Sequence, residues 1–135
     1  MKKIDRLYID VKYRKLLEEM NSNNFLNSKN ASRKELFLYA MSLGTDAPTK
    51  INGKRDGLFL TKDLNTSDEA LIYTNYISNE RDIKDLADKE KIYSYAERCA
   101  NTGFSIIENY IENGNPETLD KRLLIDIEEK LNNNE

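Results

Sequence analysis

The sequence predicts a mainly α fold: a compact single domain of about five helices with a short N-terminal strand and a small β-ribbon. Three observations carry that prediction. Apolar residues recur at helical spacing over most of the 135 residues. Two Ser/Thr-x-x-Glu boxes mark helix starts, and Gly or Pro stands where the periodic stretches stop. Breakers are otherwise scarce, with only 2 Pro and 5 Gly. Agreement across these levels is better evidence than any single propensity. A chain of this length makes one domain, residues 1–135, and hides roughly two-thirds of its unfolded surface around a single core.

The first element is a short strand, because Leu7, Ile9 and Val11 alternate with Tyr8 and Asp10. The period then changes. Tyr13, Leu16, Leu17 and Met20 fall at i, i+3, i+4, i+7, so a helix of about ten residues begins near Asp10, which serves as its N-cap. The Asn- and Ser-rich stretch 21–30 cannot sustain it, although Phe25 and Leu26 are expected to return to the core. Ser32-Arg33-Lys34-Glu35 opens a second helix as a capping box. Leu36, Phe37, Ala40, Met41 and Leu43 form its apolar face, and Gly44 is expected to end it in the left-handed C′ conformation. Pro48 and Asn52-Gly53 mark a loop. That dipeptide favours a type I′ turn, so Ile51 and Leu58-Phe59-Leu60 are expected to form a ribbon around it.

Thr66-Ser67-Asp68-Glu69 is the second capping box and opens a third helix running to about Ser78. Ala70, Leu71, Ile72, Tyr73, Tyr76 and Ile77 cover more than half its circumference, which predicts the central, most enclosed helix. Ile83, Leu86 and Ala87 suit a short helical turn. A long helix then starts near Asp88, with Ile92, Tyr95, Ala96, Cys99, Phe104, Ile107 and Ile111 in nearly constant phase. Gly103 inside it costs about 1 kcal/mol relative to Ala, and so marks either a break or a close backbone contact. Gly114 and Pro116 introduce a last amphipathic helix with Leu119, Leu123, Leu124, Ile127 and Leu131, and residues 132–135 form a frayed tail.

Composition excludes several kinds of chemistry. With His 0 and Cys 1 there is no imidazole ligand or base, no thiolate zinc site and no intrachain disulfide. No metal or cofactor and no catalytic residue is expected, and the protein reads as non-enzymatic. No apolar run approaches the ~18–20 residues that span a bilayer, so a cytoplasmic protein without a membrane partner is expected. The net charge of -3 conceals a division. Residues 1–60 are basic, with 12 Lys/Arg against 7 Asp/Glu; the helical part from 61 to 131 and its tail are acidic, with 9 against 17. A basic end suits a polyanion such as duplex DNA.

Asp82, Asp85 and Asp88, spaced by three, would share a face if helical and are the one candidate for Mg²⁺-dependent phosphodiester chemistry, although a solvated acidic face is the commoner use of such spacing. Cys99 lies on an apolar helical face and reads as a core residue, as do the tyrosines at 13, 73, 76, 95 and 110. The strand followed by two helices has the order of a ribbon-helix-helix protein, whose paired strands come from two subunits; a dimer is compatible with that order. Lys2, Lys3, Arg6, Lys12, Lys15, Lys50, Lys54 and Arg55 are therefore the candidate nucleic-acid contacts.

Lys34-Glu-Leu-Phe-Leu-Tyr-Ala-Met-Ser-Leu-Gly44, then Asp56-Gly-Leu-Phe59, then Tyr95-Ala-Glu-Arg-Cys-Ala-Asn-Thr-Gly103-Phe resembles the small accessory proteins of DNA phosphorothioation (Dnd) systems. The likeness spans roughly residues 5–112 and rests on an early F-x-x-A-x-x-x-G helix and a late A-N-x-G helix break. It implies a prokaryotic DNA-modification or defence setting, in which other proteins carry out sulfur transfer and cleavage, and DNA or a modification or restriction protein is the partner. The leading expectation is an accessory protein that binds DNA weakly or docks on such a partner. A small metal-dependent nuclease-like enzyme using the Asp cluster, or a protein-binding module with no nucleic-acid role, are the alternatives.

Overall fold

Leu7 and Ile9 turn one face of strand β1 (Arg6–Asp10) into the core, as the alternation requires, whereas Val11, expected on the same face, falls in the turn that follows and is 43% exposed. A computed structural model describes residues 5–22, 32–80 and 83–113, and the side chains of all of these but 21, 22 and 113. The last helix expected over 116–131, the tail, Phe25 and Leu26 lie outside the described residues. β1 pairs antiparallel with β2 (Arg55–Leu60), with Leu7 opposite Phe59, Tyr8 opposite Gly57 and Asp10 opposite Arg55. The register slips between Leu7 and Tyr8, so Leu58 is the extra residue of a β-bulge and points inward, 3% exposed.

This pairing corrects the expected ribbon. Asn52-Gly53 turns no hairpin, because the partner of β2 arrives from the N-terminus. The Gly53 N–H instead donates to Asp10 Oδ2 at 3.3 Å, and a Cβ at Gly53 would sit 2.8 Å from Asp10 Oδ1. Asp10 also caps a 3-10 turn, Val11–Tyr13, by accepting the Lys12 N–H, and the chain continues directly into helix α1 (Arg14–Ser22). The N-cap expectation for Asp10 therefore holds.

Helix α2 (Arg33–Leu43) begins at Ser32, whose hydroxyl accepts the Glu35 N–H at 3.2 Å. It ends at Gly44, but with φ -97°, outside the left-handed region expected from the sequence. Gly44 is needed for space: a Cβ there would lie 1.9 Å from the Cys99 carbonyl oxygen. Helix α3 (Thr66–Glu80) is capped one residue earlier than expected. Asn65 Oδ1 accepts the Asp68 N–H at 2.8 Å while Asp68 Oδ2 accepts the Asn65 N–H at 3.0 Å, a reciprocal box in which Thr66 has no part.

Nor is α3 the most enclosed helix. Only Ile72 and Tyr76 of α3 are buried, and Leu71 is 44% exposed. The central element is α4 (Lys89–Asn113), which follows a 3-10 turn, Ile83–Ala87, and is capped by Asp88 accepting the Lys91 N–H. Its Ile92, Tyr95, Ala96, Cys99, Ala100, Phe104 and Ile107 are buried against Leu36, Phe37, Ala40 and Met41 of α2 and against β1. A wide apolar stripe on α3 covers circumference without showing what lies against it, and β1 and α2 claim α4 first.

α4 runs through Gly103 without a break, so the close-contact alternative is the right one. A Cβ at Gly103 would fall 1.7 Å from the Ala40 carbonyl oxygen. Gly44 on α2 and Gly103 on α4 thus let two backbones touch, and both short stretches that carried the family resemblance belong to this crossing. Tyr13 against Phe104, Phe37 against Phe59 and Tyr76 against Tyr95 fill the space around it, with ring centroids 5.3–5.7 Å apart. Among the described residues, the architecture is four α-helices on a two-stranded antiparallel sheet. No described helix is long and apolar enough to cross a membrane.

Candidate nucleic-acid interface

Cross-strand partners share a face, so Arg6, Tyr8, Asp10, Arg55 and Gly57 lie on the side of the sheet opposite Leu7 and Ile9. Asp10 is turned in by its bonds to backbone N–H groups, which leaves a surface of Arg6, Tyr8 and Arg55 with half-buried Leu60, the partner of Arg6. The Arg6 side chain runs over Gly57, where a Cβ would meet it at 3.1 Å. Its one ion-pair partner among the described residues, Asp5, is 4.0 Å away. At the far end of the ribbon the Val11 N–H donates to the Lys54 carbonyl at 2.9 Å, so Lys54 and the turn that carries Lys12 lie at the same end, both lysines exposed. Lys12 also stands 5.1 Å from the Tyr13 ring centroid. Lys15 follows Lys12 by one helical turn and is exposed. Lys2 and Lys3 lie outside the described residues.

Arg55 is the most constrained of these cations. Its guanidinium sits 4.5 Å from the Tyr8 ring centroid and donates to Glu97 Oε1 at 2.9 Å. Glu97 Oε2 accepts the Tyr8 N–H at 2.7 Å, a donor that β2 does not take. Glu97 is only 7% exposed, and burial pushes its carboxyl above the ordinary carboxylate range, against the opposing pull of the Tyr8 N–H and Arg55. The carboxylate thus ties α4 to the edge of β1 and orients Arg55. β1 finds its strand partner inside the chain, so the fold does not build the two-subunit ribbon of a ribbon-helix-helix protein from this pairing.

Residues 45–54, which carry Lys50 and Lys54, are fastened to α4. The Asn101 amide donates to Thr49 Oγ1 at 3.0 Å and to the carbonyls of Thr49 and Lys50; the Thr49 N–H donates to the Arg98 carbonyl at 3.1 Å; Thr102 Oγ1 donates to the Ala47 carbonyl. Lys50, Ile51, Arg55, Ser94, Glu97 and Arg98 enclose a hollow of about 140 Å³ beside this loop. Sequence reasoning missed Glu97 and Arg98. Their signal was a charged pair set into an otherwise apolar run between Ala96 and Cys99.

Arg14 and Arg33 were also passed over. They cover the other edge of β2, where the Gly57 carbonyl accepts from Arg14 at 3.2 Å and the Leu58 carbonyl from Arg33 at 3.5 Å. Arg14 in addition pairs with Asp56, holding that carboxyl below its usual range. An edge occupied by cations resists pairing with a foreign strand.

The described members of the acidic cluster, Asp85 and Asp88, are each committed to other partners. Asp82 lies outside the described residues. Asp85 accepts the Tyr76 hydroxyl and pairs with Lys91 at 3.0 Å, and these bonds keep its carboxyl below the usual range. Asp88 is committed to capping α4. Among the described residues, no three acidic or thiol groups are grouped to hold a metal ion. Cys99 is buried beside Asn75, and burial pushes its thiol up, as for an inert core cysteine. No family model, curated protein or solved structure matches the chain.

Proposed function

We propose that the protein is a non-enzymatic accessory factor of a prokaryotic DNA-modification or defence system of the phosphorothioation type, and that it binds duplex DNA weakly through the outer face and end of its β-ribbon. The observation that supports this is that strand pairing brings two distant basic stretches together along one ribbon, with Arg6 over Gly57, Arg55 against Tyr8, and exposed Lys12 and Lys54 at its far end. Lys and Arg on one surface displace condensed counterions from the duplex, and none of these contacts reads a base edge. Binding is therefore independent of sequence and no tighter than about micromolar. Acidic residues such as Glu69, Glu80, Asp88 and Glu90 on α3 and near the start of α4 repel the same polymer, which polarises the encounter.

A binding titration on a short duplex tests the reading. With four phosphates neutralised, affinity falls about 100-fold between ~50 and ~200 mM salt. In Arg6/Lys12/Lys54→Ala, with one contact left, the drop shrinks to about fourfold. Absence of binding at the lower salt, or binding indifferent to salt and to the substitutions, removes the DNA role and favours docking on a modification or restriction protein.

A further inference from the structure

The hollow beside the 45–54 loop differs from the rest of the basic surface in being walled and prearranged. Lys50, Arg55 and Arg98 face one carboxylate, Glu97. Both oxygens of that carboxylate are already engaged, one by Arg55 and one by the Tyr8 N–H. Among the described residues neither Lys50 nor Arg98 has an ion-pair partner, and the three cations and one carboxylate of the lining sum to two positive charges. Arg55 is held between the Tyr8 ring and Glu97, which leaves most of its N–H donors unused. The loop wall is fixed in turn by Asn101 and by the Thr49 bond to the Arg98 carbonyl. Part of the ordering cost of binding an anion here, that of Arg55 and of the loop backbone, has thus been met in folding.

Size and charge narrow the ligand. The hollow is open to solvent, and its volume of about 140 Å³ lies below the roughly 300 Å³ or more of sites that take up a whole small ligand. It admits a single tetrahedral anion. A neighbouring cleft of about 430 Å³ shares Ser94 and Arg98 but is also lined by Glu80, Asp88 and Glu90, which oppose an anion. We propose that the hollow is a phosphate-binding site, in which Arg55 is the oriented donor, Lys50 and Arg98 supply charge and the Ser94 hydroxyl adds a further hydrogen bond. The phosphate belongs either to a polynucleotide backbone or to a small phosphomonoester. Only the first source rests on the DNA reading above.

Heteronuclear NMR of the full chain titrated with sodium phosphate, against sodium chloride at equal ionic strength, tests the assignment. Saturable shifts at the amides of Lys50, Ser94 and Arg98 are expected with phosphate alone. Arg98→Ala and Arg55→Lys weaken the response about tenfold each, as losing a charged or bidentate hydrogen bond should, while Lys62→Ala, remote from the hollow, leaves it unchanged. The second arm adds a short duplex or glycerol phosphate. Displacement of phosphate by the duplex identifies the backbone as the source; displacement by glycerol phosphate alone identifies a small ligand, and the site stands even if duplex binding fails. No saturable shift up to ~50 mM phosphate, an equal response to chloride, or equal binding by Arg98→Ala and Lys62→Ala overturns the proposal.

Discussion

Replacing Gly103 by Ala sets two opposed effects against each other, and the geometry decides between them. Within an α-helix the change gains about 1 kcal/mol of propensity. The new Cβ, however, would lie 1.7 Å from the Ala40 oxygen, 2.4 Å from its carbonyl carbon and 2.7 Å from its Cα. All three are backbone atoms, so no rotamer relieves the clash, and α2 must move off α4 by roughly 1.5 Å to restore ordinary contact. A gap of even ~0.5–1 Å forfeits a quarter to a half of each dispersion contact, and this crossing carries Phe37, Met41, Cys99 and Phe104, all buried. Overpacking by one methyl commonly costs about 1–3 kcal/mol, and a backbone obstacle puts Gly103→Ala at or beyond the upper end. After the propensity gain, a net loss of about 2–4 kcal/mol is expected, a large share of the ~5–15 kcal/mol typical of a domain. Urea unfolding followed by circular dichroism reads this as a midpoint lowered by about 1–2 M. Ser105→Ala, on the exposed side of the same helix, should stay within about 0.5 kcal/mol of wild type. A Gly103→Ala protein as stable as wild type, or more stable, refutes the close-contact reading of both glycines.

Asn65→Ala, which removes half of the reciprocal box at the start of α3, should destabilise the protein by about 1 kcal/mol, whereas Thr66→Ala should be close to neutral; the reverse order in urea midpoints would restore the cap that the sequence suggested. Cys99 should resist an aromatic disulfide reagent at pH 8 in the native protein and react at once in denaturant, because burial raises its thiol pKa and so suppresses the thiolate at that pH. Rapid native-state reaction would show an open or activated thiol instead.

Local signals in the sequence were sufficient wherever one stretch of chain decides its own conformation. The alternation of Leu7 and Ile9, the Asp10 cap, the Ser32 box and the apolar phase of α4 are of that kind, since periods of 2 and 3.6 and the capping bonds involve residues only a few positions apart. Tertiary structure decided what no local pattern encodes. Leu58-Phe59-Leu60 read as strand, but whether its partner is Ile51 or β1 depends on which long-range contact closes, and Asn52-Gly53 was drawn to Asp10 instead. Gly44 read as a helix end and Gly103 as either a break or a close contact, and their shared purpose exists only once α2 lies across α4. The interface followed the same division. Positive charge at residues 1–60 was legible by counting, whereas the buttressing of Arg55 by Glu97 and Tyr8 joins residues 42 or more positions apart. Burial of Glu97 gives that contact its strength, and burial is a property of the folded chain as a whole.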